Sequence, residues 1–195
     1  MIDRETVRAF FDERAAVWDE MQEKDAVKTT VILDLAGVAM GKRVLDVACG
    51  TGIMIPEYLS RGVAHVTAID LSPKMIEEAQ KRRGSDRVTY LTGDAASFRF
   101  PEMYDAIVIY NALPHFDDPG ALIAHLSSYL KPGGRLSVAH GASRKEIDSH
   151  HEGAAKDVSM GLLPFTDLIA LMKPYLTITA AVSNASMYAV VGEKR

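Results

Sequence analysis

The chain reads as one doubly wound α/β domain, a mostly parallel seven-stranded sheet closed by a carboxyl-terminal antiparallel hairpin. Three observations predict it. Helix-like and strand-like periodicities alternate from about residue 25 onward, the pattern of a parallel sheet with crossover helices. Ala106-Ile107-Val108-Ile109 is apolar on both faces, as a central parallel strand must be. Only Ser183-Asn184-Ala185-Ser186 separates the last two strand-like runs, a connection short enough to imply antiparallel pairing.

In order, the first strand is Arg43–Val47 and a helix follows from about Ile53 to Leu59. His65–Ile69 is the second strand, with β-branched residues at alternate positions. Ser72-Pro73 starts the next helix, because Ser72 can cap exposed amides and Pro73 suits the first helical position; Gly84 stops it. Arg87–Leu91 and Tyr104–Tyr110 are the third and fourth strands. A helix starting at Asp118-Pro119 carries Leu122, Leu126, Tyr129 and Leu130 on one face, and Lys131-Pro132-Gly133-Gly134 ends it before a fifth strand, Arg135–Ala139. A capping box, Ser143 with Glu146, starts a short helix; a last helix spans about Thr166–Met172, and Leu176–Val182 and Met187–Val191 form the hairpin. Residues 1–24 read as one amphipathic helix with Val7, Phe10, Phe11, Arg14, Trp18 and Met21 on one face, either packed on the sheet or covering a ligand. The domain thus divides into an N-terminal helix or lid (1–24), a ligand-binding core (25–141) and a substrate-side segment with the final hairpin (142–195).

Composition bounds the function. The chain has 195 residues, 48% apolar and 25% charged, with 22 basic against 26 acidic side chains for a net charge of −4. No basic block longer than Lys81-Arg82-Arg83 occurs, so electrostatics offer no nucleic-acid or anionic-membrane partner. No apolar run approaches the roughly 18 residues of a membrane-spanning helix, and the first residues lack the apolar segment of a signal peptide. The single cysteine, Cys49, fits a reducing, cytoplasmic setting.

The chemistry concentrates in Val44-Leu45-Asp46-Val47-Ala48-Cys49-Gly50-Thr51-Gly52, an apolar strand running into a small-residue turn where glycines let backbone approach a ligand. Eighteen residues after Gly52, Asp70 ends the second strand, placed to accept both hydroxyl protons of a ribose. The turn is not GxGxxG: Ala48 holds the first glycine position, and Ile53 and Met54 follow Gly52, which suits a ligand without phosphate better than a nicotinamide dinucleotide.

Together with Asp70-Leu71-Ser72-Pro73-Lys74-Met75-Ile76, Gly93-Asp94-Ala95, Tyr104–Pro119 and Leu130–Leu136, this segment resembles the class I S-adenosylmethionine-dependent methyltransferases, in their small-molecule and quinone-type branch, and so implies a Rossmann-like fold. The likeness spans about residues 1–141. It implies that Asp46, Ala48, Gly50 and Gly52 line the methionine part of the cofactor, that Asp70 takes the ribose hydroxyls, and that Leu71 and Met75 pack on the adenine. Asp94, next to Ala95, would accept from the adenine's exocyclic amine, and Asn111 would contact the methionyl group. The structural alternatives are that Asp94 caps the following segment, that Met75 is core and that Asp70 caps the turn at Ser72. The implied cofactor is S-adenosylmethionine, with S-adenosylhomocysteine as product and a small-molecule methyl acceptor. A binding module that holds either compound without catalysis, and an oxidoreductase using a nicotinamide dinucleotide, are the rivals.

The histidines lie outside that motif set. His115 follows the fourth strand, His140 ends the fifth, and His150-His151 lie just beyond, whereas His65 and His125 read as structural. His140 first and His115 second are candidates for a general base or acceptor-orienting group. Alternatively His140, His150 or His151 with Glu146 form a divalent-metal site, Glu146 and His150 being four apart on one helix; the third reading is a solvated polar loop. Residues 141–165, with Met160, Leu162, Leu163 and Phe165, either shape the acceptor pocket or dock the last helix. Acceptor identity and oligomeric state are not encoded in any short motif.

Overall fold

The computed structural model describes residues 2–22, 25–151 and 156–195, apart from the side chains of residues 149–151. The strands are β1 (Arg43–Val47), β2 (His65–Asp70), β3 (Val88–Thr92), β4 (Tyr104–Tyr110), β5 (Leu130–His140), β6 (Leu176–Ser183) and β7 (Tyr188–Lys194). They form one seven-stranded sheet in the order β3-β2-β1-β4-β5-β7-β6. β1 to β5 pair in parallel, while β7 runs antiparallel between β5 and β6. Strand order reverses between β1 and β4, so the connections at their carboxyl ends diverge and open a crevice, the place where a doubly wound sheet binds its ligand.

The helices are α1 (Arg4–Arg14), α2 (Ala26–Leu35), α3 (Ile55–Ser60), α4 (Pro73–Arg83), α5 (Pro119–Ser127), α6 (Arg144–His151) and α7 (Phe165–Met172). On one face, Leu45, Ile107, Leu136 and Val138 pack against Leu122 and Leu126 of α5 and Leu168 and Met172 of α7. On the other, Val44, Val66, Ala68, Ala106 and Val108 pack against Leu33 of α2, Ile55 and Tyr58 of α3 and Ile76 of α4. Both faces are covered, which is why Ala106–Ile109 of β4 reads as a continuous apolar run. Among the described residues no helix is long and apolar enough to cross a membrane.

Helix starts follow side-chain chemistry. Ser72 caps α4 by accepting the Met75 amide at 3.0 Å, Asp118 caps α5 at Ala121, and Ser143 and Glu146 form the reciprocal capping box of α6.

The structure corrects two sequence expectations and adds one helix. Residues 1–24 are not one helix: α1 ends at Arg14 and the chain continues as a 3-10 helix, Ala15–Met21. Within Ala15–Met21 the apolar stripe has only the three-residue step from Trp18 to Met21, which α and 3-10 geometry both allow, so it could not separate them. The added helix is α2, which agrees with alternation from about residue 25 but whose bounds the sequence did not mark, because Val27 and Val31 lie exposed on it and blur its apolar stripe. Finally, Lys131–Gly134 does not terminate α5, which ends at Ser127; it lies within β5, where the register with β4 shifts between Tyr104 and Ala106. Gly133 supplies a positive φ of 72° there.

Gly134 fills the resulting close approach. A Cβ on it would stand 2.9 Å from the Lys131 carbonyl oxygen and 3.0 Å from that of Tyr104. Gly134→Ala is therefore expected to cost on the order of 1–3 kcal/mol. A urea melt reads this as a lower midpoint at unchanged slope, and an unshifted midpoint would show that the bulge accommodates a side chain.

Candidate functional site

The crevice between β1 and β4 is floored by the turn that follows β1. Ala48, Gly50 and Gly52 take φ of 54°, 55° and 78°. Alanine in the left-handed region is strained, and such strain persists only where neighbouring contacts impose it. Here the Cys49 amide donates to the Ile69 carbonyl at 3.0 Å and the Gly50 amide to Asp70 Oδ2 at 2.8 Å. The Ser72 amide donates to Asp70 Oδ1 at 2.9 Å, so one carboxylate joins the turn after β1 to the start of α4. The cap that sequence offered as the alternative role of Asp70 is present, alongside a second bond that sequence did not suggest.

Two buried carboxylates lie at this edge. Asp46 accepts the Tyr58 hydroxyl on Oδ1 at 3.2 Å, and its Oδ2 has no hydrogen-bond partner among the described residues. Burial pushes its pKa up to about 7, against the Tyr58 hydrogen bond, with the Asp70 charge adding to the rise. Burial likewise lifts Asp70 to about 6, opposed by the Ser72 and Gly50 amides. A pair of dry acids at a strand-order switch is the kind of site that perturbed pKa values mark.

The remaining expected residues divide. Leu71 is half-buried beside Asp70, and Met75 is in the core at 1% exposure. Asp94 caps the Ala96 amide with Oδ1 at 2.9 Å, while its Oδ2 meets Arg4 at 2.7 Å; Ala95 beside it is buried. Asn111 takes a φ of 53° and accepts the Gly141 amide at 3.0 Å, tying the ends of β4 and β5 together. His115 Nδ1 lies 2.7 Å from the Val158 carbonyl; a carbonyl only accepts, so Nδ1 carries the hydrogen and Nε2 is the acceptor nitrogen of the neutral ring. His140 is 2% exposed and packs edge-to-face on Tyr188 with centroids 5.9 Å apart. The side chains of His150 and His151 lie outside the described residues. The Glu146 carboxylate is engaged by the Ser143 amide and hydroxyl, and among the described residues no group of three His, Cys, Asp or Glu could hold a metal ion.

Over the crevice lies the N-terminal segment 2–21, and most of its contacts there were not legible in the sequence. The Ile2 amide donates to Asp117, Arg4 pairs with Asp94, Asp12 accepts the Ser72 hydroxyl, and Asp19 accepts Thr51 and Arg83. Trp18 stands over the turn, its indole nitrogen 3.6 Å from where a Gly50 Cβ would project. Phe11 stacks edge-to-face between Trp18 and His115, at 5.3 and 5.1 Å. Lys28 of α2 donates to the Gly141 carbonyl at 3.1 Å. Sequence placed Phe11 and Trp18 on this segment, but Asp12 and Asp19, each next to one of them, carry no periodicity that would name their partners. On the side of residues 141–165, Arg144, Asp148, Lys156 and residues 159–164 line a cavity of ≈ 670 Å³, away from Asp46 and Asp70.

Comparison with known proteins gives a consistent family. Residues 44–134 match the family described as "Methyltransferase domain". The demethylmenaquinone methyltransferase of Renibacterium salmoninarum is 32% identical over 139 residues, 68% of this chain and 57% of that protein. The chain thus spans a little over half the length of that relative. Among solved structures, a Haloferax volcanii putative methyltransferase in complex with the Trm112 methyltransferase activator superposes with a TM-score of 0.84 at 19% identity, covering 94% of this chain and 97% of that one. The N-methyltransferase NodS of Bradyrhizobium japonicum, in complex with S-adenosylhomocysteine, gives 0.76 at 17% identity, covering 96% and 98%. At such identities the likeness is one of fold.

The raised pKa of Asp46 has a consequence for stability. The folded chain holds this proton to about 7 and the unfolded chain only to about 3.8, so stability falls as pH rises between those values and is lowest above them. Asp46→Asn removes that loss. It is expected to raise the melting temperature at about pH 8, a gain equivalent to on the order of a few kcal/mol, and to leave it unchanged near pH 4. Equal melting of variant and parent at both pH values would show that Asp46 titrates normally.

Proposed function

We propose that this chain, which belongs to the class I S-adenosylmethionine-dependent methyltransferases, moves the methyl group of S-adenosylmethionine to a small-molecule acceptor. The observation that carries the reading is the Gly50–Asp70 hydrogen bond above a buried Asp46 whose second oxygen lacks a partner among the described residues. An orphaned carboxylate oxygen beneath a glycine turn fits an ammonium group, and a carboxylate fixed by two amides keeps lone pairs for two hydroxyls. A ligand with an α-amino acid at one end and a ribose in the middle satisfies both.

In this reading Asp46, Ala48, Gly50 and Gly52 hold the methionine part, Asp70 the ribose, and Leu71 and Met75 flank the adenine with Asp94 and Ala95 at its edge. Asn111 meets the methionyl group and orients the ends of β4 and β5. Residues 1–24 are the lid, 25–141 the cofactor side and 142–195 the acceptor side. The cofactor supplies a methyl group already activated by a sulfonium, and S-adenosylhomocysteine is the product. The chain has therefore to align an acceptor atom in line with the methyl–sulfur bond and to exclude water, tasks for which Phe11 and Trp18 are placed.

An acceptor that carries a proton also needs a base. His115 takes that role ahead of His140, because the Val158 carbonyl orients its ring through Nδ1–H and the ring lies against Phe11 of the lid, whereas His140 is buried on Tyr188. His140, buried on Tyr188, positions the end of β5. A small-molecule acceptor is supported by the quinone substrate that the name of the Renibacterium relative states.

Calorimetric titration with S-adenosylhomocysteine tests the site. Binding is expected to weaken roughly tenfold to a hundredfold in Asp70→Ala, the loss of hydrogen bonds to a charged group; no heat from the parent chain would overturn the reading. With hydroquinone and catechol acceptors, His115→Ala is expected to lower kcat about a hundredfold while cofactor affinity changes less than about twofold. Binding without turnover of any acceptor would favour the non-catalytic module.

A further inference from the structure

The segment that roofs the crevice is fastened differently from the rest of the fold. Of residues 2–21 only Val7 and Ala15 are buried, and Phe10, Phe11 and Trp18 are half-buried, so the segment adds two residues to the buried core. Beside the aromatic contacts of Phe11 and Trp18 its attachment is polar, and the polar fastenings are unequal. Arg4 meets Asp94 with two thirds of its side chain in solvent, where an ion pair contributes little. Asp19 is enclosed: its side chain is 22% exposed, and Arg83, 2.6 Å away, is 13% exposed.

Three donors converge on that one carboxylate. The Thr51 hydroxyl donates to Oδ1, and Arg83 and Arg82 reach Oδ2 at 2.6 and 3.2 Å. Both arginines are also bound to backbone on either side of the joint: Arg82 donates to the Ala16 carbonyl and Arg83 to the Thr51 carbonyl, each at 2.7 Å. Asp19 therefore joins three parts, the roofing segment, the glycine turn after β1 and the last turn of α4. Trp18, one residue away, is the lid over Gly50.

We propose that Asp19 is the latch of a gate: the segment 2–21 must swing off the crevice before the nucleoside ligand enters or leaves, and release of Asp19 from Thr51, Arg82 and Arg83 limits that exchange. The inference rests on the functional reading above for the identity of the ligand, but not for the motion itself. A segment that puts only two of its residues in the core and is otherwise held by half-buried aromatic rings and polar contacts opens locally, at a free energy well below that of global unfolding. Asp19 touches no ligand in this scheme. It is a positioning residue whose loss changes how often the gate opens, so entry and exit accelerate together.

The single tryptophan of the chain is Trp18, and its fluorescence reports the gate without a label. In stopped-flow mixing with S-adenosylhomocysteine, Asp19→Asn is expected to raise the association and dissociation rates each by about tenfold, with Kd within about threefold. Asp34→Asn, which breaks a surface pair with Arg61 away from the crevice, should change neither rate. A faster dissociation with unchanged association would mean that Asp19 merely strengthens binding, and unchanged rates would mean that the gate opens elsewhere; either result overturns the latch. Amide hydrogen exchange of residues 5–21 without added ligand provides the second readout. Exchange there should be about tenfold faster in Asp19→Asn while the amides of β1 and β4 keep their protection. If the parent chain fails to bind S-adenosylhomocysteine, the functional reading falls, and the exchange comparison still decides the latch.

Discussion

One hydrogen bond organises the ligand edge of this molecule. The Gly50 amide gives its proton to Asp70, whose other oxygen holds the amide of Ser72, so the ends of the two neighbouring strands β1 and β2 are joined through a buried carboxylate. The turn that results carries three left-handed residues, one of them an alanine, in a conformation the local chain would not choose. Because the sheet reverses its strand order next to β1, the backbone of that turn faces the crevice that the N-terminal segment covers. The strain and the buried acids lie together, and both are unfavourable to the free protein. Stability given up at a site is the usual cost of holding groups ready for a ligand.

The molecule therefore has two tiers of stability. Below the crevice, apolar side chains on both faces of β1, β4 and β5 interlock with α2, α3, α5 and α7, and these contacts are broken only by unfolding. Above it, the N-terminal segment follows the ends of the strands, touching the loops after β1, β2, β3 and β4 with one polar contact at each. Hydrophobic burial is non-directional and accumulates with area, whereas these contacts depend on single charges and hydroxyls and can be made and broken singly. A roof held in this way lies over the strand ends without becoming part of the core.

The histidines show how burial sorts residues that look alike in a sequence. His115 follows β4 and His140 ends β5, both at the carboxyl edge of the sheet, and imidazole chemistry alone does not distinguish them. In the fold, β5 pleating turns His140 onto the face of Leu136 and Val138, where Tyr188 covers it, while the short helical turn after β4 brings His115 under the aromatic residues of the roof.

Much of the architecture is legible in the order of the residues alone. Alternating periodicities, the Ser72-Pro73 and Asp118-Pro119 starts, the Ser143–Glu146 capping box and the short Ser183–Ser186 connection each act through near neighbours, so local chemistry determined the strands, most helices and the closing hairpin. The glycine turn and Asp70 are legible for the same reason, since backbone dihedral needs are written in residue type. What only the tertiary structure decided is pairing at a distance. That Asp19 would meet Thr51 and Arg83, that Arg4 would reach Asp94, and that Lys131–Gly134 would join the strand instead of ending the helix depend on which surfaces the sheet brings together. A charge or a glycine carries no periodicity that names its partner, and only the folded chain supplies the distance and the burial that give each contact its strength.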